Sequence, residues 1–116
     1  MGLESLKAWA RSKDLARAAY RITLRAPLSR HFGLADQIRR AATSVPANLV
    51  EGYALGTRPQ LLRCLRISLA SARELLWHLE LAADMELIDA AESQRLQSLG
   101  NTTISLLVGL LRRLSR

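Results

Sequence analysis

The chain has 116 residues, a length typical of one domain, and 49% of its residues are hydrophobic whereas only 4% are aromatic. A core of Leu, Ala, Ile and Val favours helices, and a single cysteine, Cys64, excludes an intrachain disulfide. The net charge of +7 suits a polyanion partner or a solvated basic surface. Because the sequence has neither the apolar run of a signal peptide nor that of a membrane span, we expect a cytoplasmic protein without membrane contact.

The first predicted helix covers Glu4–Arg25 and is strongly basic. Up to Ala26 the chain has six basic and two acidic residues, a net charge of +4. The predicted nucleic-acid-binding residues are these six: Lys7, Arg11, Lys13, Arg17, Arg21 and Arg25. The last four recur every fourth residue, a spacing at which like charges repel and weaken a helix. A bound polyanion would offset that repulsion, and a solvated face is the alternative interpretation.

The second predicted helix runs from Gly33 to Leu55 and contains Pro46, which usually kinks a helix. A stripe of polar side chains runs along this helix beside its apolar face. With Glu74 from the third helix, the predicted polar network consists of Gln37, Arg40, Ser44, Asn48 and Glu51. An active site with Glu51 as base and Arg40 as anion anchor is the alternative, but these two residues are three helical turns apart. We therefore interpret the stripe as a structural network of satisfied polar groups, with Ser71 as a further candidate partner.

The helix boundaries that follow are marked by local motifs. Gly56 suits a helix C-terminus, and Thr57 with Gln60 forms a capping box that opens a third helix over Arg58–Met85. In that helix, Leu75 and Trp77 are expected to widen an apolar seam. A second capping box at Asp89–Glu92 starts a fourth helix, in which Gly100 is a point of bending or division. These elements predict an all-α fold, an antiparallel up-down-up-down four-helix bundle, as a single domain over residues 1–116.

The sequence gives no support for catalysis or for a bound metal. Its two histidines, His31 and His78, are far apart in sequence, and there is no glycine-rich phosphate loop. Trp9 and Tyr20, like Trp77, occupy positions that predict core packing rather than base stacking. We therefore expect no catalytic residue, no metal and no cofactor.

One long motif carries a family resemblance. The segment Gln37–Gly52, QIRRAATSVPANLVEG, resembles the signature of the four-helix-bundle family first noticed in intervening sequences of bacterial large-subunit ribosomal RNA genes. Further similar positions are Trp9, Leu15, Tyr20, Thr23, Pro27, Phe32-Gly33-Leu34, Leu65, Ser71, Glu74 and Leu75. Two departures are modest: Ala70 stands where the family often has glycine, and the link at Leu55–Arg58 is looser than usual.

The resemblance implies a homo-oligomeric ring of four-helix protomers, with pentamers known among relatives. It extends to the accessory variability proteins of diversity-generating retroelements, which are basic pentamers that bind nucleic acid and assist a reverse transcriptase. The favoured hypothesis is thus a non-enzymatic, oligomeric binder of RNA or DNA, with itself, nucleic acid and a reverse transcriptase as partners. The alternative is an oligomeric protein–protein interaction scaffold without nucleic-acid binding.

Overall fold

The structure, a computed structural model, describes residues 2–116 and contains four long α-helices. These are α1 (Leu3–Ile22), α2 (Phe32–Leu55), α3 (Arg58–Asp84) and α4 (Ala90–Leu114), with a single 3-10 turn at Leu28–Arg30. Each helix packs against the next one in sequence, and α4 packs back against α1. All four neighbouring pairs are antiparallel, which confirms the predicted up-down-up-down bundle. No helix within residues 2–116 has the length and apolar character that a membrane crossing requires.

The predicted helix ends between α2, α3 and α4 are confirmed. Gly56 has φ of +80° and ends α2, a left-handed conformation that glycine adopts without steric strain. The hydroxyl of Thr57 accepts a hydrogen bond from the backbone N–H of Gln60 at 3.4 Å. The carboxylate of Asp89 accepts one from the N–H of Glu92 at 2.7 Å. Because both caps lie within four residues of sequence, they could be recognised without knowledge of the tertiary fold.

The first helix ends earlier than predicted, at Ile22 rather than Arg25. Thr23 is fully buried. Its hydroxyl donates a hydrogen bond to the carbonyl of Tyr20 at 2.5 Å and accepts one from the guanidinium Nε of Arg39 at 2.7 Å. These contacts hold Thr23 as the C-cap, and the chain then turns toward α2. Arg25 therefore lies in the connecting turn, outside the helix.

The two residues expected to disturb a helix leave both helices unbroken. Pro46 lies inside α2, and the hydroxyl of Ser68 in α3 donates to the carbonyl of the preceding residue, Val45, at 2.7 Å. Gly100 lies inside α4, where a Cβ atom would collide with the side chain of Leu76 in α3. The glycine thus permits close packing of α3 and α4 rather than dividing α4.

The core forms two clusters along the bundle axis, and Trp77 belongs to neither. One cluster is centred on Leu15, Ile38 and Leu79, and the other on Leu49 and Leu107. The expectation that Trp77 widens the apolar seam of α3 is wrong, because its side chain is 54% exposed. It lies two residues after buried Leu75, a rotation of about 200° that points it away from the core. Tyr20 is also exposed, whereas Trp9 is half-buried.

A second close helix contact joins α2 to α3 at Gly52. A Cβ atom on Gly52 would lie 2.9 Å from the Cβ of Cys64 and 3.1 Å from Cδ1 of Leu61. The Cβ of Cys64 is fixed by the backbone of α3, so it cannot move aside unless the helix shifts. Gly109 in α4 is the opposite case, because nothing lies within 4 Å of the position its Cβ would take.

We predict that Gly52→Ala destabilises the protein, whereas Gly109→Ala stabilises it. Alanine gains up to about 1 kcal/mol over glycine in a helix, which the open position of Gly109 should realise. At Gly52, overpacking of about 1–3 kcal/mol should exceed that gain. Denaturant unfolding at a fixed protein concentration measures both changes. A Gly52→Ala protein as stable as the Gly109→Ala protein would contradict the close α2–α3 contact.

Candidate nucleic-acid interface

The six basic residues predicted to bind nucleic acid do not form one row. Lys13 is half-buried, and its ammonium lies 5.0 Å from the centre of the Trp9 ring. It also lies seven residues, or two turns, before Tyr20, whose ring faces Arg39 of α2 at 5.3 Å. Lys13 therefore belongs to the side of α1 that packs against α2. The other five are exposed: Lys7, Arg11, Arg17, Arg21 and Arg25.

Three of these residues line a cleft between α1 and α4, together with an arginine that the sequence pattern did not single out. The cleft has a volume of about 410 Å³. Its lining residues define the α1–α4 cleft and are Asp14, Arg17, Ala18, Arg21, Arg25, Arg95 and Leu99. Arg95 comes from the second turn of α4. An antiparallel bundle places the start of α4 beside the end of α1, so the predicted topology held a signal for Arg95.

Ion pairs neutralise only part of the positive charge beside the α1–α4 cleft. Asp14 pairs with Arg11 at 3.2 Å, and Glu92 pairs with Arg25 at 2.6 Å. No carboxylate of residues 2–116 lies within ion-pair distance of Arg17, Arg21 or Arg95. All three are exposed, so their guanidinium groups are accessible to a ligand. The α1–α4 cleft therefore has the charge and the geometry to bind an anion.

A run of uncharged polar side chains lies on α4 beside the α1–α4 cleft. Its members, which define the α4 polar stripe, are Ser93, Gln94, Gln97, Ser98, Asn101, Thr102 and Ser105, and they line a shallow depression. Gln97 donates to the carbonyl of Leu76 at 3.1 Å, and Thr102 donates to the carbonyl of Ser98 at 3.1 Å. The exposed members, among them Gln94 and Asn101, can form hydrogen bonds with a ligand without adding charge.

The predicted polar network on α2 is smaller in the structure. The hydroxyls of Ser44 and Ser71 lie 2.7 Å apart, and the side-chain amide of Asn48 donates to the carbonyl of Ser44 at 2.9 Å and to its hydroxyl at 3.0 Å. These three half-buried residues connect α2 to α3. Since their polar groups satisfy one another, they serve packing between the two helices.

The remaining members of that predicted network lie at the surface. Gln37, Arg40, Glu51 and Glu74 are all exposed. Arg40 pairs with Asp36 on its own helix at 3.7 Å, and the carboxylate of Glu74 lies 3.4 Å from Nε2 of His78. The stripe turns with the helix, so only its middle part faces α3. The structure thus joins Ser44 and Asn48 to Ser71 but brings neither Arg40 nor Glu51 to them.

A second kind of surface lies where α1 meets α2. Large apolar side chains are exposed there, and they define the α1–α2 apolar face: Leu6, Tyr20, Leu24, Phe32 and Val50. Val50 lies three turns after Arg39, so these two residues share one side of α2. Arg39 contacts Tyr20 and Thr23 at the end of α1, so that side of α2 borders α1. The α1–α2 apolar face runs along the bundle, because Leu6 and Tyr20 lie near opposite ends of α1. Exposed apolar side chains along one side of a protein commonly mark a surface that binds protein.

Comparisons with known proteins agree with this architecture. A family model described as 23S rRNA-intervening sequence protein matches residues 4–109. No curated protein matches the chain. Among solved structures, a protein with unknown function from the S23 ribosomal protein family of Bacteroides thetaiotaomicron has a TM-score of 0.87 and 22% sequence identity, covering 95% of this chain and 99% of that chain. That likeness shows the same fold, and the family model, which spans most of the sequence, shows that the chain belongs to the 23S rRNA-intervening sequence protein family.

Proposed function

We propose that the protein is a non-enzymatic homo-oligomer that binds RNA or DNA through the phosphate backbone. The observation that carries the proposal is the charge of α1 and its following turn: six basic residues, five of them exposed, against Glu4 and Asp14. Arginine guanidinium groups match the geometry of phosphate oxygens. Contacts of this kind position a protein on nucleic acid without reading its sequence, so we expect similar affinity across sequences.

Self-association is the second part of the proposal. The α1–α2 apolar face supports it, because apolar side chains that stay exposed in one protomer become buried when a second copy covers them. Repeating the basic surface around an assembly, with a pentameric ring as the form we favour, would raise avidity for a long polyanion. The resemblance to accessory variability proteins adds a reverse transcriptase as a further proposed partner.

The first experiment is binding of the purified protein to an RNA hairpin and to a DNA duplex across a salt series. We expect both to bind, with log affinity falling linearly against log salt by about 0.9 for each phosphate contact in a duplex. The assembly mass is measured in the same buffers. Absence of binding at low salt by a folded protein, or an affinity that salt does not change, would contradict the proposal and favour the protein-interaction scaffold.

A second prediction concerns assembly. Leu6 is 48% and Val50 49% exposed, so Leu6→Glu and Val50→Glu should leave the protomer folded and lower the mass of the assembly by charging the apolar face. Met85→Glu is the matched control, because Met85 is 57% exposed, caps the end of α3 and is not a member of that face. Light scattering measures the mass, and circular dichroism confirms the helices. An unchanged mass in both α1–α2 variants would rule out this face as the contact.

A further inference from the structure

We propose that the α1–α4 cleft, rather than the whole basic surface of α1, is the site that holds the nucleic-acid backbone, and that Arg95 is one of its phosphate ligands. This inference rests on the proposed function and assigns nucleic-acid binding to one surface of the protein. The ligand is a phosphodiester chain, recognised by Arg17, Arg21 and Arg95 from two helices. Lys13, whose ammonium lies over the Trp9 ring, is not among the residues that line the cleft.

The charge balance in the α1–α4 cleft is the first argument. Arg17 and Arg21 lie one turn apart, about 6 Å along the axis of α1, a spacing at which like charges destabilise a helix. Arg95 faces them from α4 across the cleft. The carboxylates that border the cleft, Asp14 and Glu92, are already paired with Arg11 and Arg25. A polyanion bound in the cleft would supply the negative charge that the chain does not.

The neighbouring α4 polar stripe is the second argument. Contacts to the nucleic-acid backbone come from Ser, Thr, Asn and Gln side chains as well as from Arg and Lys. The exposed stripe residues Gln94, Ser98 and Asn101 lie along α4 on either side of Arg95 in sequence, and α4 carries a single carboxylate, Glu92. A backbone held in the α1–α4 cleft would therefore meet neutral hydrogen-bonding groups on α4, and the two carboxylates that border the cleft, Asp14 and Glu92, are both in ion pairs.

The other arginine-rich surface is less suited to phosphate. The outer side of α3 presents Arg63, Arg66 and Arg73, all exposed, beside the exposed ring of Trp77. It also presents exposed Glu74 and Glu80 within one turn of Trp77. Neither carboxylate lies within ion-pair distance of Arg63, Arg66 or Arg73, so both would repel phosphates near Trp77. Another cleft, at the end of the bundle, has a volume of about 810 Å³. Its lining includes the carboxylates of Glu86, Asp89 and Glu92, which would also repel phosphates.

Two triple variants of equal charge test the assignment. Arg17→Gln/Arg21→Gln/Arg95→Gln removes the arginines of the α1–α4 cleft, and Arg63→Gln/Arg66→Gln/Arg73→Gln removes the same charge from α3. All six side chains are exposed, so both proteins should fold. For each protomer that contacts a DNA duplex, the first variant should lower the salt slope by about 2.7 and the affinity at 0.15 M salt on the order of 100-fold. The second variant should change the affinity less than threefold.

The outcomes separate the inference from the proposed function. A wild-type protein that binds neither RNA nor DNA would overturn both. Wild-type binding with equal losses in the two variants would overturn the inference alone, since affinity would then follow total charge. A larger loss in the α3 variant would place the site beside Trp77 and also overturn it. The single variant Arg95→Gln completes the test, because a loss of affinity there shows that α4 takes part, whereas an unchanged affinity would remove Arg95 from the site.

Discussion

The close contact of α2 with α3 is the constraint on which the rest of the structure depends. Gly52 lets the two helices approach until a Cβ atom would meet Cys64, and polar contacts fix their register: Ser68 to the carbonyl of Val45, and Ser44 to Ser71. The two-residue link between the helices permits only an antiparallel pair. With α2 and α3 fixed, α1 and α4 cover the remaining apolar faces and contact each other.

This arrangement gives α1 two different surroundings. On the side of α2, the surface is apolar and aromatic, with Leu6, Tyr20 and Val50 exposed. On the side of α4, it is basic, with Arg17, Arg21 and Arg95 lining the α1–α4 cleft. A protein partner on the first surface would leave the second one open. The proposed self-association and the proposed binding of nucleic acid therefore do not compete, and assembly would repeat the basic cleft once per protomer.

The sequence alone predicted what depends on local chemistry. The caps at Thr57 and Asp89 and the glycine that ends α2 each depend on a few adjacent residues, so the helices and the bundle followed from them. The exposure of Trp77 and the role of Gly100 depend on which side of α3 meets α4, which the apolar pattern alone did not determine. Arg95 was missed because its basic neighbours belong to α1 and are close only after folding. The contacts of Thr23 with Arg39, which end α1 early, were missed for the same reason, because these two residues are close only after folding.

The most direct test is to determine by site-specific crosslinking which surface contacts nucleic acid. Cys64 is buried, so a single cysteine introduced at the surface can be labelled selectively with a photo-crosslinker. Ala18 lies in the α1–α4 cleft, and Ala70 is exposed on the outer side of α3. We expect crosslinking to bound RNA from Ala18→Cys and little from Ala70→Cys. Crosslinking mainly from position 70, or none from position 18 while RNA is bound, would contradict the assignment of the α1–α4 cleft as the binding site.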